Sequence, residues 1–342
     1  MLLLALESSC DETAAAVVKD GRNVLSSIVA SQISIHAEYG GVVPEIASRQ
    51  HLEAVSLVVE QALRDAGVGI ADIEGVAVTQ GPGLAGALLV GISAAKGLSL
   101  GRGLPLVGVN HIEGHLLAVF LERPVEFPFI ALAVSGGHSH LYRVDGIGRY
   151  QTLGQTVDDA AGEAFDKVAK LIGLPYPGGV AIDRLAAGGD PQAIKFPRPL
   201  LHDGTFNFSF SGLKTAVLTH VGKHPEAKEQ GINDLAASFQ AAVCEVLTKK
   251  TAAAVAATGI KRLVVAGGVA CNSGLRRSMA EFAQASGVEL SIPSPKLCAD
   301  NAAMIAVPGD FYLGAGYQSG FDLDALPVWP LDKLSARFPG GM

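Results

Sequence analysis

Two histidines four residues apart open the chemical reading of this sequence. In His111-Ile112-Glu113-Gly114-His115 a helix sets both imidazoles on one face, a spacing suited to a single metal ion. The plainer alternative is two polar residues near a lobe boundary. Glu113 stands in the third place of the motif, not the second as in zinc proteases. At about 100° of turn per residue it faces away from the histidines and cannot reach a metal-bound water, so a peptidase is poorly supported. Two imidazoles call for an acidic or thiolate third ligand. The proline-stiffened run Pro293-Ser294-Pro295-Lys296-Leu297-Cys298-Ala299-Asp300-Asn301 delivers Asp300 to the start of an apolar helical stretch. Its alternative role there is helix N-cap.

A second group of residues suits a phosphate or nucleoside. In Ser135-Gly136-Gly137-His138-Ser139-His140 the glycines permit a tight turn, and Ser135 with the backbone amides can bind phosphate or carboxylate. His138 and His140 share a strand face, and at least one reads as an ordinary hydrogen-bonded histidine. A helix over Val157–Leu171 has an apolar stripe at Ala161, Ala164, Phe165, Val168 and Ile172. Its other side carries Asp166, either paired with Lys170 on a solvated face or binding ribose hydroxyls. Pro177-Gly178-Gly179 follows as a turn able to lie along a nucleoside, then Asp183 on the next helix. Asn272, after the Gly267-Gly268 turn, can cap a helix, contact a ligand, or do both. The aromatics of Phe206–Thr215 suit an RNA-stacking surface or a core.

The elements that must hold these residues come in duplicate. Met1–Asn23 reads as strand, Ser-rich turn and strand, and Phe129–Gly146 repeats that order. Ile73–Val78 and Ile260–Val265 are each a buried strand ending in a glycine-rich turn before a helix. The order hairpin, helical stretch, buried strand, glycine turn, helix thus occurs twice. It predicts an α/β chain of two similar lobes facing across a central cleft, with Ser8–Asp11 and Ser135–His138 aimed at one ligand. The expected first lobe is 1–126, with a helical segment 305–335 packing back on it, and the second is 127–304. The polar tail 318–342 is expected to pack loosely and fray.

Composition bounds the function. At 342 residues, 49% apolar and 17% charged, the chain can bury two cores. Its four cysteines form no C-x-x-C pair, which speaks against a thiolate zinc site and a disulfide framework. The apolar start runs at once into Glu7, Asp11 and Glu12, unlike a signal peptide, and the run 84–100 is interrupted by Lys96. A soluble, cytoplasmic protein with no membrane partner is expected. The net charge of −7 sits wholly on residues 1–126, and residues 127–342 balance to zero. Neither half alone is a strong RNA platform.

Taken together, Glu7-Ser8-Ser9-Cys10-Asp11-Glu12-Thr13, His111-x3-His115, Ser135-Gly136-Gly137-His138, Gly162-Glu163-Ala164-Phe165-Asp166-Lys167, Phe208–Lys214 and Gly267-Gly268-Val269-Ala270-x-Asn272 closely resemble one family. It is the bacterial tRNA N6-adenosine threonylcarbamoyltransferases, once labelled O-sialoglycoprotein endopeptidases. The resemblance runs the length of the chain, with Cys271 the one small departure. It implies the duplicated actin-like ATPase fold, related to ribonuclease H. It also implies acyl transfer from threonylcarbamoyl-AMP to N6 of adenosine 37, in tRNAs reading codons that start with A, with AMP released. Carried over, His111, His115 and Asp300 bind one divalent metal, Fe(2+) or else Zn(2+). Val134, Ser135, Gly136, Gly137, His138, Asp166, Gly179, Asp183 and Asn272 bind the donor. No residue acts as a covalent nucleophile. The implied partners are the tRNA anticodon loop, a paralogous actin-like subunit and a small ATPase. An actin-like ATPase or small-molecule kinase, and a non-catalytic scaffold, are the competing readings.

Overall fold

The structure, a computed structural model, describes residues 1–337. Strands β1 (Leu2–Glu7), β2 (Glu12–Lys19) and β3 (Asn23–Ser31) lead into helices α1 (Ile33–Ala37) and α2 (Pro44–Ala66). Then come β4 (Gly75–Gly81), α3 (Ala85–Arg102), β5 (Leu106–Asn110) and α4 (His111–Leu117). The series restarts with β6 (Phe129–Val134), β7 (Ser139–Gly146) and β8 (Arg149–Gln155), followed by α5 (Ala161–Leu171), α6 (Gly178–Ala186), α7 (Ser211–Lys223) and α8 (Ile232–Thr258). It closes with β9 (Arg262–Ala266), α9 (Ser273–Ser286), β10 (Glu289–Ser291), α10 (Pro295–Cys298) and α11 (Ala303–Gly314).

The duplication read from the sequence is present in the sheets. One has the order β3-β2-β1-β4-β5, the other β8-β7-β6-β9-β10. In each, the opening hairpin is antiparallel, β1 with β2 and β6 with β7. The later strands add in parallel, β4 on β1 and β5 on β4, then β9 on β6 and β10 on β9. Parallel central strands need both faces covered, which is why β1, β4, β6 and β9 are apolar through their middles, with polar residues only toward their ends.

In the first sheet the alternation of side chains divides the core in two. Leu4 and Leu6 of β1 join Val76, Val78, Val58, Leu88 and Ile92 beneath α2 and α3. Leu3 and Ala5 face the other way, against Ala77, Val107, Met304, Ile305 and Tyr312. α11 is therefore buried almost all round, as a helix without a polar face must be.

By its contacts the chain divides into a first unit of Met1–Val125, Gly146–Tyr150 and everything from Lys296 on, and a second of Glu126–Asp145 and Gln151–Pro295. The division differs from the expected 127–304 at two places, the 146–150 turn and the stretch 296–304. The burial of α11 on the first sheet draws the second of these across, and with it Asp300.

Two local expectations are corrected, and one reading left open between core and RNA surface is decided for core. Helix α5 starts at Ala161, not Val157, because Asp158 is spent on capping: it accepts from the Phe210 and Ser211 amides and from both serine hydroxyls of Ser209 and Ser211. Phe208 and Phe210 are wholly buried, so the aromatic run is core and not an RNA platform. The tail does not lie loose over 318–334, nor is it helical. Past α11 it runs as an irregular strap, ending in a 3-10 turn at Leu331–Arg337. Pro327 and Pro330 bar a helix, and the strap's backbone groups find partners on the first sheet instead. Ser319 N donates to Leu106 O on the edge strand β5, Leu326 N to Gln80 O, and Gly83 N to Pro327 O. Leu323, Trp329, Leu331 and Leu334 are buried beneath it. Pro339, Gly340 and Gly341 lie outside the described residues. Among the described residues no helix is long and apolar enough to cross a membrane.

Candidate functional site

Helix α4 is only seven residues long, and every one of them is buried. Its start is fixed by Asn110, whose Oδ1 accepts from Ile112 N (2.9 Å) and Glu113 N (3.3 Å) while Nδ2 donates to Trp329 O (2.9 Å). The strap thus holds the cap that holds the helix.

From α4, His111 and His115 meet edge to plane, ring centroids 4.6 Å apart. Both turn Nε2 toward Oδ1 of Asp300, at 3.7 Å and 3.0 Å. One donor atom from each of the three residues lies within 4.8 Å of the others. Asp300 does not cap α11: Asn301 does so, taking Met304 N at 3.0 Å, and Asp300 is left turned toward the histidines.

Behind His111 stands Glu7, at the end of β1. Its Oε2 lies 2.9 Å from His111 Nδ1 and accepts from Thr79 Oγ1, while Oε1 accepts from Ser9 N. Ser9 Oγ also reaches His111 Nδ1, at 3.1 Å. Burial alone would favour the neutral form of each partner. Their pairing outweighs it, pushing His111 up to about 9 with the help of Asp300 and holding Glu7 below the usual carboxylate range. A carboxylate on Nδ1 fixes the imidazole so that Nε2 faces the ligand set, the arrangement found behind metal-bound histidines. Two nitrogens and a carboxylate oxygen in a pocket that already attracts positive charge fit a divalent cation. The Nδ1 of His115 is buried and has no hydrogen-bond partner.

Glu113 points away from this cluster. Its Oε1 accepts from Tyr150, Tyr312 and Gly148 N, and burial pushes it up to about 7. The base position of a zinc protease is therefore vacant.

The residues expected to bind the donor lie in the second unit, which holds β6 and β9. Val134 ends β6 and packs against Gly267, which follows β9. Gly267 has φ +95°, and a Cβ there would collide with Val134 O. The Ser135–His138 turn closes on Ser135 N→His138 O (2.8 Å). The start of α5 docks on it, Gly162 N to Ser135 O and Glu163 N to Gly136 O, both 3.2 Å. A side chain at 162 would sit 2.6 Å from Ser135 O, so only glycine allows this approach. Gly136 and Gly137 face open space.

Asp166 does not pair with Lys170. It accepts from Gly178 N (2.7 Å), holding the start of α6 with Gly179, and the salt bridges on α5 run from Lys167 to Asp159 and Glu163. Asp183 on α6 accepts from the amide and hydroxyl of Ser273. Asn272 caps α9 through Leu275 N (2.9 Å) and donates to Gln240 (2.7 Å). Asp166, Asp183 and Asn272 are thereby tied in sequence from α5 to α6 to α9.

A family model described as tRNA N6-adenosine threonylcarbamoyltransferase matches residues 23–307. The chain belongs to that family. The tRNA N6-adenosine threonylcarbamoyltransferase of Geobacter sp. (strain M21) is 90% identical over 337 residues, 98% of each chain. That of Geotalea uraniireducens (strain Rf4) is 71% identical over the whole of both. A solved structure, the activator of 2-hydroxyisocaproyl-CoA dehydratase from Clostridium difficile with bound ADPNP, aligns with a TM-score of 0.54 at 17% identity, over 94% of this chain and 99% of that one. That likeness shows the fold, which is the duplicated actin-like one. Membership in the threonylcarbamoyltransferase family decides between the readings left open by the sequence: the chain is an acyltransferase acting on adenosine in tRNA, not a kinase or a scaffold.

The residues to which the sequence alone assigns no role are Glu7, Asn110 and Gln240, while Ser9 belongs to the Ser8–Asp11 turn expected to face a ligand. Glu7 carried a signal: it is an acid closing a strand that is otherwise wholly apolar. Gln240 carried none, lying mid-helix in α8.

Proposed function

We propose that this chain transfers the threonylcarbamoyl group from threonylcarbamoyl-AMP to N6 of adenosine 37, in tRNAs reading codons that start with A, at a centre where His111, His115 and Asp300 hold one divalent metal. The convergence of both Nε2 atoms on Asp300, with Glu7 behind His111, carries this reading. Imidazole and carboxylate donors suit Fe(2+), our assignment, and Zn(2+) next. In the reaction the N6 nitrogen attacks the carbonyl carbon of the mixed anhydride. The new C–N bond replaces the C–O bond to phosphate, AMP leaves, and N6 gives up one proton. The metal, when bound, supplies Lewis-acid polarisation of the donor.

The protein's own groups do the positioning. Backbone amides of Gly136, Gly137 and His138 and the hydroxyl of Ser135, with Val134 ahead of them, suit the adenylate phosphate, while the Ser135 amide closes the turn. Asp166, Gly179 and Asp183 suit the ribose, and Asn272 the donor beyond it. Their mutual hydrogen bonds set these groups in place before the donor arrives, which lowers the ordering cost of binding. Glu7 keeps His111 Nε2 turned to the ligand set. No side chain is called on as a covalent nucleophile. A paralogous actin-like subunit, a small ATPase and the tRNA anticodon loop are the proposed partners, in the cytoplasm. The net charge of −7 supports a need for help in holding RNA.

Purified chain with its partner subunits, labelled threonylcarbamoyl-AMP and unmodified tRNA should yield modified nucleoside, and His111→Ala should yield none. Product undiminished in the variant would remove the metal from the reaction.

The charge on His111 gives a second expectation. With His111 pushed up to about 9, a cation binding at pH 7 must displace a proton from it. Close to one proton should be released per metal at pH 7, and fewer as pH rises through about 9. Calorimetry in two buffers of different ionisation enthalpy measures this, and equal heats in both at pH 7 would contradict it.

A further inference from the structure

α4 carries two of the three proposed metal ligands on fewer than two full turns, and a helix this short has no stability of its own. What it packs against sets its roll about its axis, and metal–ligand distances tolerate only about ±0.2 Å. Glu113 is the polar anchor on its far side. The side chain is fully buried, and one oxygen, Oε1, takes all three hydrogen bonds: Gly148 N at 3.1 Å, Tyr150 Oη at 2.7 Å and Tyr312 Oη at 2.6 Å. Oε2 has no hydrogen-bond partner. The donors come from two separate places, the 146–150 turn and α11, and no cation accompanies the carboxylate. An apolar residue of similar volume would fill the site at less cost in desolvation. The carboxylate does what an apolar residue could not, fixing one point of α4 against two directional hydroxyls.

We propose that Glu113 is a positioning residue for the metal centre, with Tyr150 and Tyr312 as its orienting partners. Its three hydrogen bonds set the roll of α4 and so the placement of the His111 and His115 Nε2 atoms relative to Asp300. The inference rests on His111, His115 and Asp300 being metal ligands.

The test uses the full-length, metal-free protein titrated with Co(2+), whose visible bands report the geometry of its ligands. Tyr150→Phe/Tyr312→Phe removes both hydroxyls and keeps both rings. It should weaken Co(2+) binding about 10- to 100-fold, as loss of an outer orienting partner does, and shift the bands. Glu113→Gln keeps the Oε1 acceptor and should stay within a few-fold of wild type. If the double variant does not fold, the single Tyr→Phe variants carry the same expectation in smaller measure. A variant that melts at lower temperature yet binds Co(2+) with wild-type affinity and spectrum would reduce Glu113 to a packing role and overturn the proposal. His115→Ala is the control. Unchanged Co(2+) binding there would remove the metal reading itself, and this inference with it.

Discussion

Asp300→Ala should leave threonylcarbamoyl transfer at about a thousandth of the wild-type rate or less, in a protein that still folds. Lewis-acid stabilisation by a bound metal is worth several kcal/mol, and about 4 kcal/mol corresponds to a thousandfold at 1.36 kcal/mol per decade. Of the three proposed ligands, Asp300 is the one best suited to this experiment. Its side chain is 22% exposed, against 8% and 2% for His111 and His115, so its loss opens no large cavity. The cap of α11 belongs to Asn301 and survives the change. Single-turnover transfer with preloaded adenylate, beside a thermal melt, separates chemistry from folding. Transfer within tenfold of wild type, at unchanged metal content, would show that Asp300 is no part of the centre.

The second large effect belongs to stability. Trp329→Ala should destabilise the first unit by about 3–5 kcal/mol, the usual cost of emptying a large aromatic site. Trp329 is only 7% exposed, and the strap around it closes over Leu323, Leu331 and Leu334. Its backbone carbonyl takes the Asn110 side chain, so a collapse of the strap would also leave a buried amide unpaired beneath α4, at a further cost of about 1–3 kcal/mol. Urea unfolding followed through the first unit measures it. A shift below about 1 kcal/mol would make the strap a surface passenger.

Much of this architecture is legible in the sequence because it is written in short periods. The His111–His115 pair needs only the pitch of a helix, and the doubled hairpins need only apolar runs broken by small residues. Contacts that join distant segments leave no such trace. Glu7 and His111 are 104 residues apart, and no local pattern couples a strand end to a helix start. Where two residues compete for one role, spacing alone chooses badly. Asp300 and Asn301 are both good caps, and it is the Asn301 side chain that takes the Met304 amide in the first turn of α11. The helix expected from Val157 is shortened in the same way, because Asp158 is taken up by a distant segment. In the fold Asp158 serves α7, some fifty residues on. The strap, rich in proline and polar residues, has the composition of a loose tail. Its order comes from backbone groups on β4 and β5 that a composition cannot reveal.

The discontinuous first unit also sets a clock. His115 and Asp300 are 185 residues apart in the chain, and the whole second unit is made between them. At a synthesis rate of about 5–20 residues per second, roughly ten to forty seconds pass before the third of the proposed ligands exists. During that wait the face of the first sheet that α11 will cover stays open, and the nascent chain holds two histidines and no site. On the proposed ligand set, a polypeptide made only as far as the second unit can hold no metal at this centre, and it lacks the activity along with the ion.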